Sequence, residues 1–162
     1  MMQLLFICTG NTCRSPMAAA LARHHVAQAG RPWQVESAGL YAIPGLPMAA
    51  YATDALIRRH VVVQNHQSQA VTPKLIESAD YIFTMTQSHK SELLQAYKNA
   101  AGKTYTLREF VDEDETGDFD IRDPFGGTAE VYEACAADLD ALMQRLIAKL
   151  QDREDDEPAK LE

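Results

Sequence analysis

Cys8 and Arg14 are separated by five residues, Thr9, Gly10, Asn11, Thr12 and Cys13, and are followed by Ser15-Pro16. A cysteine at the end of an apolar run, with an arginine six positions on and just ahead of a helix start, suits phosphoryl chemistry. A loop of this length and composition can curl so that several backbone N–H groups point inward, and the positive end of the next helix reinforces them. The result is an anion cradle that Arg14 can close with a bidentate fork onto two phosphoryl oxygens. The same positive field favours attack by Cys8 as a nucleophile, as helix N-termini and nearby cations do for reactive cysteines. Ser15 offers the sulfur a further hydroxyl donor. A thiolate beneath a bound phosphoryl group is poised for in-line attack, and catalysis then rests on positioning and charge stabilisation.

Other readings of the loop fare worse. It lacks the lysine and the glycine spacing of a Walker A loop. Zinc is a poor fit, since Cys8 and Cys13 have no second close ligand pair, only His24 and His25 on the following helix. The spacing alone would equally suit a buried strand-end thiol; Gly10, Asn11 and the strand–loop–helix context favour the nucleophile.

The elements that must position these residues alternate. Leu4–Ile7 is a short continuous apolar run, as in a parallel strand covered on both faces. Ser15 as N-cap and Pro16 at the first helical position open an Ala-rich helix that stops at Gly30. Trp33–Ser37 reads as a strand and Met48–His60 as a helix. A short helix capped by Thr72-Pro73 follows, then a strand at Tyr81–Met85, a helix at Ser88–Tyr97 and a strand at Thr104–Leu107. An acidic loop leads to Asp123-Pro124. Thr128 caps a long helix whose stripe of Tyr132, Cys135, Leu139, Leu142, Met143, Leu146 and Leu150 repeats every three or four residues. Such alternation predicts one α/β domain over residues 1–150, a four-stranded parallel sheet with helices on both faces and the ligand at the carboxyl ends of the strands.

The 162 residues suffice for one core without metal or disulfide staples. The formal charge of −8 argues against a phosphate-tracking nucleic-acid binder. It is uneven: residues 1–108 carry +5 and residues 109–162 carry −13. Glu109–Asp120 reads as a solvated acidic loop, and residues 151–162 as a frayed, disordered acidic tail; Leu161-Glu162 is set aside as a remnant of expression. Three cysteines are too few for a disulfide framework, and an odd count fits a reducing compartment. No stretch is apolar enough to span a membrane and no secretory signal is visible, so a cytoplasmic, monomeric protein is the expectation.

The segment from Cys8 to Met17 resembles the active-site signature of the low-molecular-weight protein tyrosine phosphatases. The likeness continues through Glu36–Gly39, His66-x-Ser68 before Val71-Thr72, Phe83–Met85 and Asp123-Pro-Phe125, and so spans about residues 3–150. It implies that Cys8 forms a phosphocysteine while Arg14 and the loop residues Thr9 to Cys13 and Ser15 hold the transferred oxygens. Asp123 would protonate the leaving group and then activate water, with no metal or organic cofactor.

Within the family, Thr12 and Phe125 resemble the bacterial protein-arginine phosphatase branch, where most phosphotyrosine enzymes carry an aliphatic residue at the position of Thr12. A hydroxyl there can accept a hydrogen bond from a guanidinium, whereas a branched hydrocarbon would pack on an aromatic ring. It could also serve backbone hydrogen bonding alone. Phe125, and Tyr41 with Leu40 beside it, are candidate substrate walls, though Tyr41 could equally anchor its loop. Cys13 is either a redox partner that shields Cys8 from over-oxidation or a small loop residue. Cys135 and Tyr132 read as packing, His66 as structural, and His24, His25, His60 and His89 as helix-surface residues. The alternatives are a phosphotyrosine phosphatase, an arsenate reductase (disfavoured because Ala79–Gln95 lacks relay thiols) and a non-catalytic phosphate-binding module.

Overall fold

The computed structural model describes residues 1–112 and 117–157. Strands β1 (Gln3–Cys8), β2 (Gln34–Gly39), β3 (Tyr81–Thr84) and β4 (Thr104–Thr106) form one parallel sheet in the order β2-β1-β3-β4. β1 is central, pairing Cys8 with Gly39 on one side and Ile7 with Thr84 on the other. The chain leaves β1 toward β2 on one flank and resumes at β3 on the other. The carboxyl end of β1 is therefore the switch point of the sheet, where the loop after Cys8 opens.

Alternation along β1 splits the core in two. Leu4 and Phe6 face the larger cluster, built with α1 (Arg14–Gln28) and α6 (Ala129–Asp156), and α2 (Ala50–Arg58) and α5 (Leu107–Val111) pack on α6. Leu5 and Ile7 face the smaller cluster under α3 (Pro73–Ser78) and α4 (Gln87–Ala96). Alanines let α1 lie close to the sheet: Ala18 through Ala22 are all buried. The hydroxyls of Thr72, Thr86 and Thr128 cap α3, α4 and α6 by accepting backbone N–H bonds.

Three expectations change. The first helix starts at Arg14, with Cys13 rather than Ser15 at the cap position. Ser15 is fully buried and its hydroxyl is turned to Cys8 and Asn11. The acidic stretch opens with the short α5, capped by Thr106, where Glu109 pairs with Lys90 at 2.6 Å. Asp112 pairs with Arg145, also at 2.6 Å; residues 113–116 lie outside the described residues. The tail is helical through Asp156, because Arg31 holds Glu154 and Asp155, and the Trp33 indole donates to Glu154 at 2.9 Å. The expected disorder thus fails for residues 151–156, and residues 158–162 lie outside the described residues. No helix among the described residues is long and apolar enough to cross a membrane.

Candidate active site

Cys8 ends β1 and is buried. Its Sγ lies 2.8 Å from the Ser15 hydroxyl and 3.3 Å from the backbone nitrogen of Asn11, which donates to it. Asn11 is the pivot of the loop. It adopts a left-handed conformation (φ 58°), which asparagine tolerates better than most side chains. It is fully buried, and its amide donates to Ser15 Oγ and Ser37 Oγ, both at 2.9 Å. Its side-chain oxygen accepts from the Gln69 backbone at 3.0 Å, and its carbonyl lies 2.7 Å from His66 Nε2. His66 therefore braces the loop through its backbone. Gly39 lets β2 approach this loop: a Cβ there would sit 2.5 Å from the Thr9 carbonyl oxygen.

Arg14 begins α1 and is almost fully buried. One guanidinium nitrogen donates to the Ile121 carbonyl at 3.0 Å, and another lies 3.5 Å from the Asp123 carboxylate. Asp123 is half exposed. Its second oxygen accepts the Phe125 N–H at 3.0 Å, so it forms the turn that any Asp-Pro would favour and still faces the arginine. Cys8, Thr9, Gly10, Thr12, Cys13, Arg14, Asp123 and Phe125 line one open cavity of about 240 Å³. Phe125 stands at its rim, 77% exposed. The Thr12 hydroxyl has, among the described residues, only the Cys13 thiol within reach, at 3.8 Å.

Leu40 and Tyr41 do not line this cavity. Leu40 packs against the smaller core, drawn there because its N–H bonds the Cys8 carbonyl as the sheet ends. Tyr41 is exposed beside α4, where the Glu92 carboxylate raises its pKa, and its backbone N–H donates to the Thr9 carbonyl at 3.0 Å. Cys13 Sγ lies 3.4 Å from the Tyr132 hydroxyl. Burial and this thiol push the Tyr132 pKa up. Burial also pushes the Cys135 thiol up to about 12, as an inert core residue requires. All three cysteines are free thiols. Among the described residues no group of three His, Cys, Asp or Glu side chains is placed to hold a metal ion.

His89 departs from expectation. It is buried rather than on the helix surface, with Nε2 2.8 Å from the Thr9 hydroxyl. Nothing in the local pattern of α4 signals this, because the contact spans eighty residues of sequence. His25 is also turned inward, bonding Asp140 of α6 at 2.6 Å.

The family model for low molecular weight phosphotyrosine protein phosphatases matches residues 3–156. The chain belongs to this family. A protein-arginine-phosphatase of Bacillus subtilis is 38% identical, over 93% of this chain and 97% of its own. The low molecular weight protein-tyrosine-phosphatase PtpB of Staphylococcus aureus is 37% identical, over 90% of this chain and 96% of its own. Among solved structures, a Cys-to-Ser variant of the YwlE arginine phosphatase with a phosphorylated active-site serine superimposes with a TM-score of 0.87. It is 37% identical, and the match covers 93% of this chain and 96% of that one. The phosphatase fold and its sheet are those the sequence predicts, and the signature loop of the phosphatase stands where the cavity opens.

Proposed function

We propose that the protein hydrolyses phosphoarginine in phosphorylated proteins through a phosphocysteine intermediate. Cys8 Sγ attacks phosphorus and breaks the P–N bond of phosphoarginine. The electron pair leaves with the guanidine nitrogen, and Asp123 delivers a proton to it. Arg14 and the loop amides balance the charge of the transferred oxygens. Asp123, now a carboxylate, takes a proton from water as that water attacks phosphorus, which releases inorganic phosphate and the thiolate. The Ser15 hydroxyl and Asn11 N–H aimed at Sγ support this assignment of the nucleophile. The phosphorylated serine of the Cys-to-Ser YwlE variant is consistent with covalent transfer at the equivalent side chain.

One observation carries the choice of arginine. Thr12 lines the cavity with Asp123, and its hydroxyl accepts from no backbone donor among the described residues. A guanidinium brings N–H donors to the Thr12 hydroxyl, and a tyrosyl ring brings none. Identity alone does not decide, because arginine and tyrosine phosphatases match about equally well. Phosphotyrosine is therefore the second reading, and paired turnover of phosphoarginine and phosphotyrosine peptides separates the two. The free thiols suit a reducing, cytoplasmic setting.

The chemistry has its own test. Cys8→Ser is expected to abolish turnover while retaining inorganic phosphate binding. Asp123→Asn is expected to lower kcat by about 10²–10⁴-fold, the usual contribution of a positioned acid. Turnover surviving in Cys8→Ser would exclude the cysteine mechanism.

A further inference from the structure

His89 lies in the first turn of α4, where its backbone N–H donates to the Thr86 hydroxyl at 3.0 Å. The residue is 7% exposed. Its Nε2 meets the hydroxyl of Thr9, the residue that follows Cys8 and itself lines the cavity. Among the described residues, Nδ1 of His89 is the one buried side-chain nitrogen or oxygen without a hydrogen-bond partner. A buried polar atom left over in this way calls for a physical reason.

The two neutral tautomers differ in consequence. With the proton on Nδ1, a buried donor faces nothing, Nε2 accepts the Thr9 O–H, and Thr9 turns lone pairs toward a site built for anions. With the proton on Nε2, the ring donates to Thr9 Oγ1 and only a bare lone pair remains at Nδ1. Orphaned donors are rarer in proteins than underused acceptors. The Thr9 hydroxyl hydrogen is then left over for the cavity. The imidazolium is unfavourable, since it would bury two donors with one partner. Burial, and then the charge of Arg14, depress the pKa of the ring to about 4 against the opposing pull of Glu92, Asp120 and Asp123.

The same turn is tied to the opposite half of the site. The Gln87 N–H donates to the Asp120 carboxylate at 2.8 Å, the Ile121 N–H donates to the Met85 carbonyl at 2.8 Å, and the Ile121 carbonyl accepts from Arg14. The mount that holds His89 against the loop therefore also fixes the segment leading to Asp123.

We propose that His89 is a positioning residue: its neutral ring, protonated on Nε2, holds the Thr9 hydroxyl so that the hydroxyl hydrogen is donated to the phosphoryl group in the loop. This rests on the reading of the loop as a phosphoryl site. The probe is inorganic phosphate, titrated against the full-length protein and its variants, together with a long-range ¹H–¹⁵N spectrum of the wild-type histidines. The expected spectrum shows His89 neutral and protonated on Nε2. His89→Leu and Thr9→Val are each expected to weaken phosphate binding about 10–100-fold, the worth of one hydrogen bond to a charged group. The double variant is expected to lose no more than either single one, and His89→Gln, whose amide can still donate, to recover most of the loss. An Nδ1-protonated ring, losses that multiply in the double variant, or variants that lower only the Tm while binding phosphate normally would overturn the proposal. If His89→Leu does not fold, the spectrum, Thr9→Val and His89→Gln still decide. Failure of the wild type to bind phosphate at all would instead overturn the reading of the site.

Discussion

Two side chains, Asn11 and His89, set the character of this site. Asn11 spends its amide, its carbonyl and a left-handed backbone on holding the loop closed, and His89 reaches it from α4 through Thr9. His89 also gives the protein a pH signature. Its folded-state pKa, about 4, lies below the ordinary 6.5. As pH falls, the unfolded chain therefore takes up the proton first. The stability that the neutral ring contributes is complete above about pH 6.5 and is lost progressively down to about pH 4, a loss on the order of 3 kcal/mol. His89→Gln does not titrate, so its urea-unfolding free energy is expected to fall less steeply between pH 7 and pH 4 than that of the wild type. Identical slopes would contradict the buried neutral ring.

The loop works because neighbouring elements leave room for it and point groups into it. β2 ends at Gly39, where a Cβ would collide with the Thr9 carbonyl. Gly39→Ala is expected to displace the loop, lower stability by about 1–3 kcal/mol as overpacking does, and cost activity out of proportion to the Tm change. Wild-type kinetics in that variant would show that the approach is not needed. Much of this architecture is legible in the sequence. Apolar runs and helical spacing set the elements to within a few residues, and the Cys8–Arg14 spacing marks the loop, because both signals are local. The start of α1 is less legible: Ser15-Pro16 has the composition of a cap, yet the buried hydroxyl is more useful at Cys8 Sγ. The walls of the cavity are less legible still. Leu40 and Tyr41 follow β2 directly, but the backbone bonds of Leu40 and Tyr41 to the Cys8 and Thr9 carbonyls turn that segment toward α4 and the smaller core. His89 carries no local signal, since only the pairing of β1 with β3 brings α4 beside the loop.

At the scale of the molecule, the uneven charge takes a structural form. Acidic residues of the C-terminal part form ion pairs between distant segments of the chain: Asp112 with Arg145, Asp138 with Arg108, and Glu154 and Asp155 with Arg31. The helix end predicted to fray is instead a clasp that ties α6 to the segment ahead of β2. Truncation after Leu150 removes the partners of Arg31 and Trp33 and is expected to lower the Tm by about 2–4 °C, measured by thermal unfolding, with kcat unchanged; an unaltered Tm would contradict the clasp. A phosphate site in a protein of net charge −8 must depend on local donors, and an acidic surround is more tolerable to a phosphorylated guanidinium than to a doubly anionic phosphotyrosine. The most direct test of that substrate choice is kcat/KM on matched phosphoarginine and phosphotyrosine peptides for the wild type and Thr12→Ile. The wild type is expected to favour phosphoarginine. Thr12→Ile should shift the ratio toward phosphotyrosine by about 10–100-fold, the worth of one hydrogen bond to a charged group. A wild-type preference for phosphotyrosine, or a ratio that Thr12→Ile leaves unchanged, would contradict the assignment.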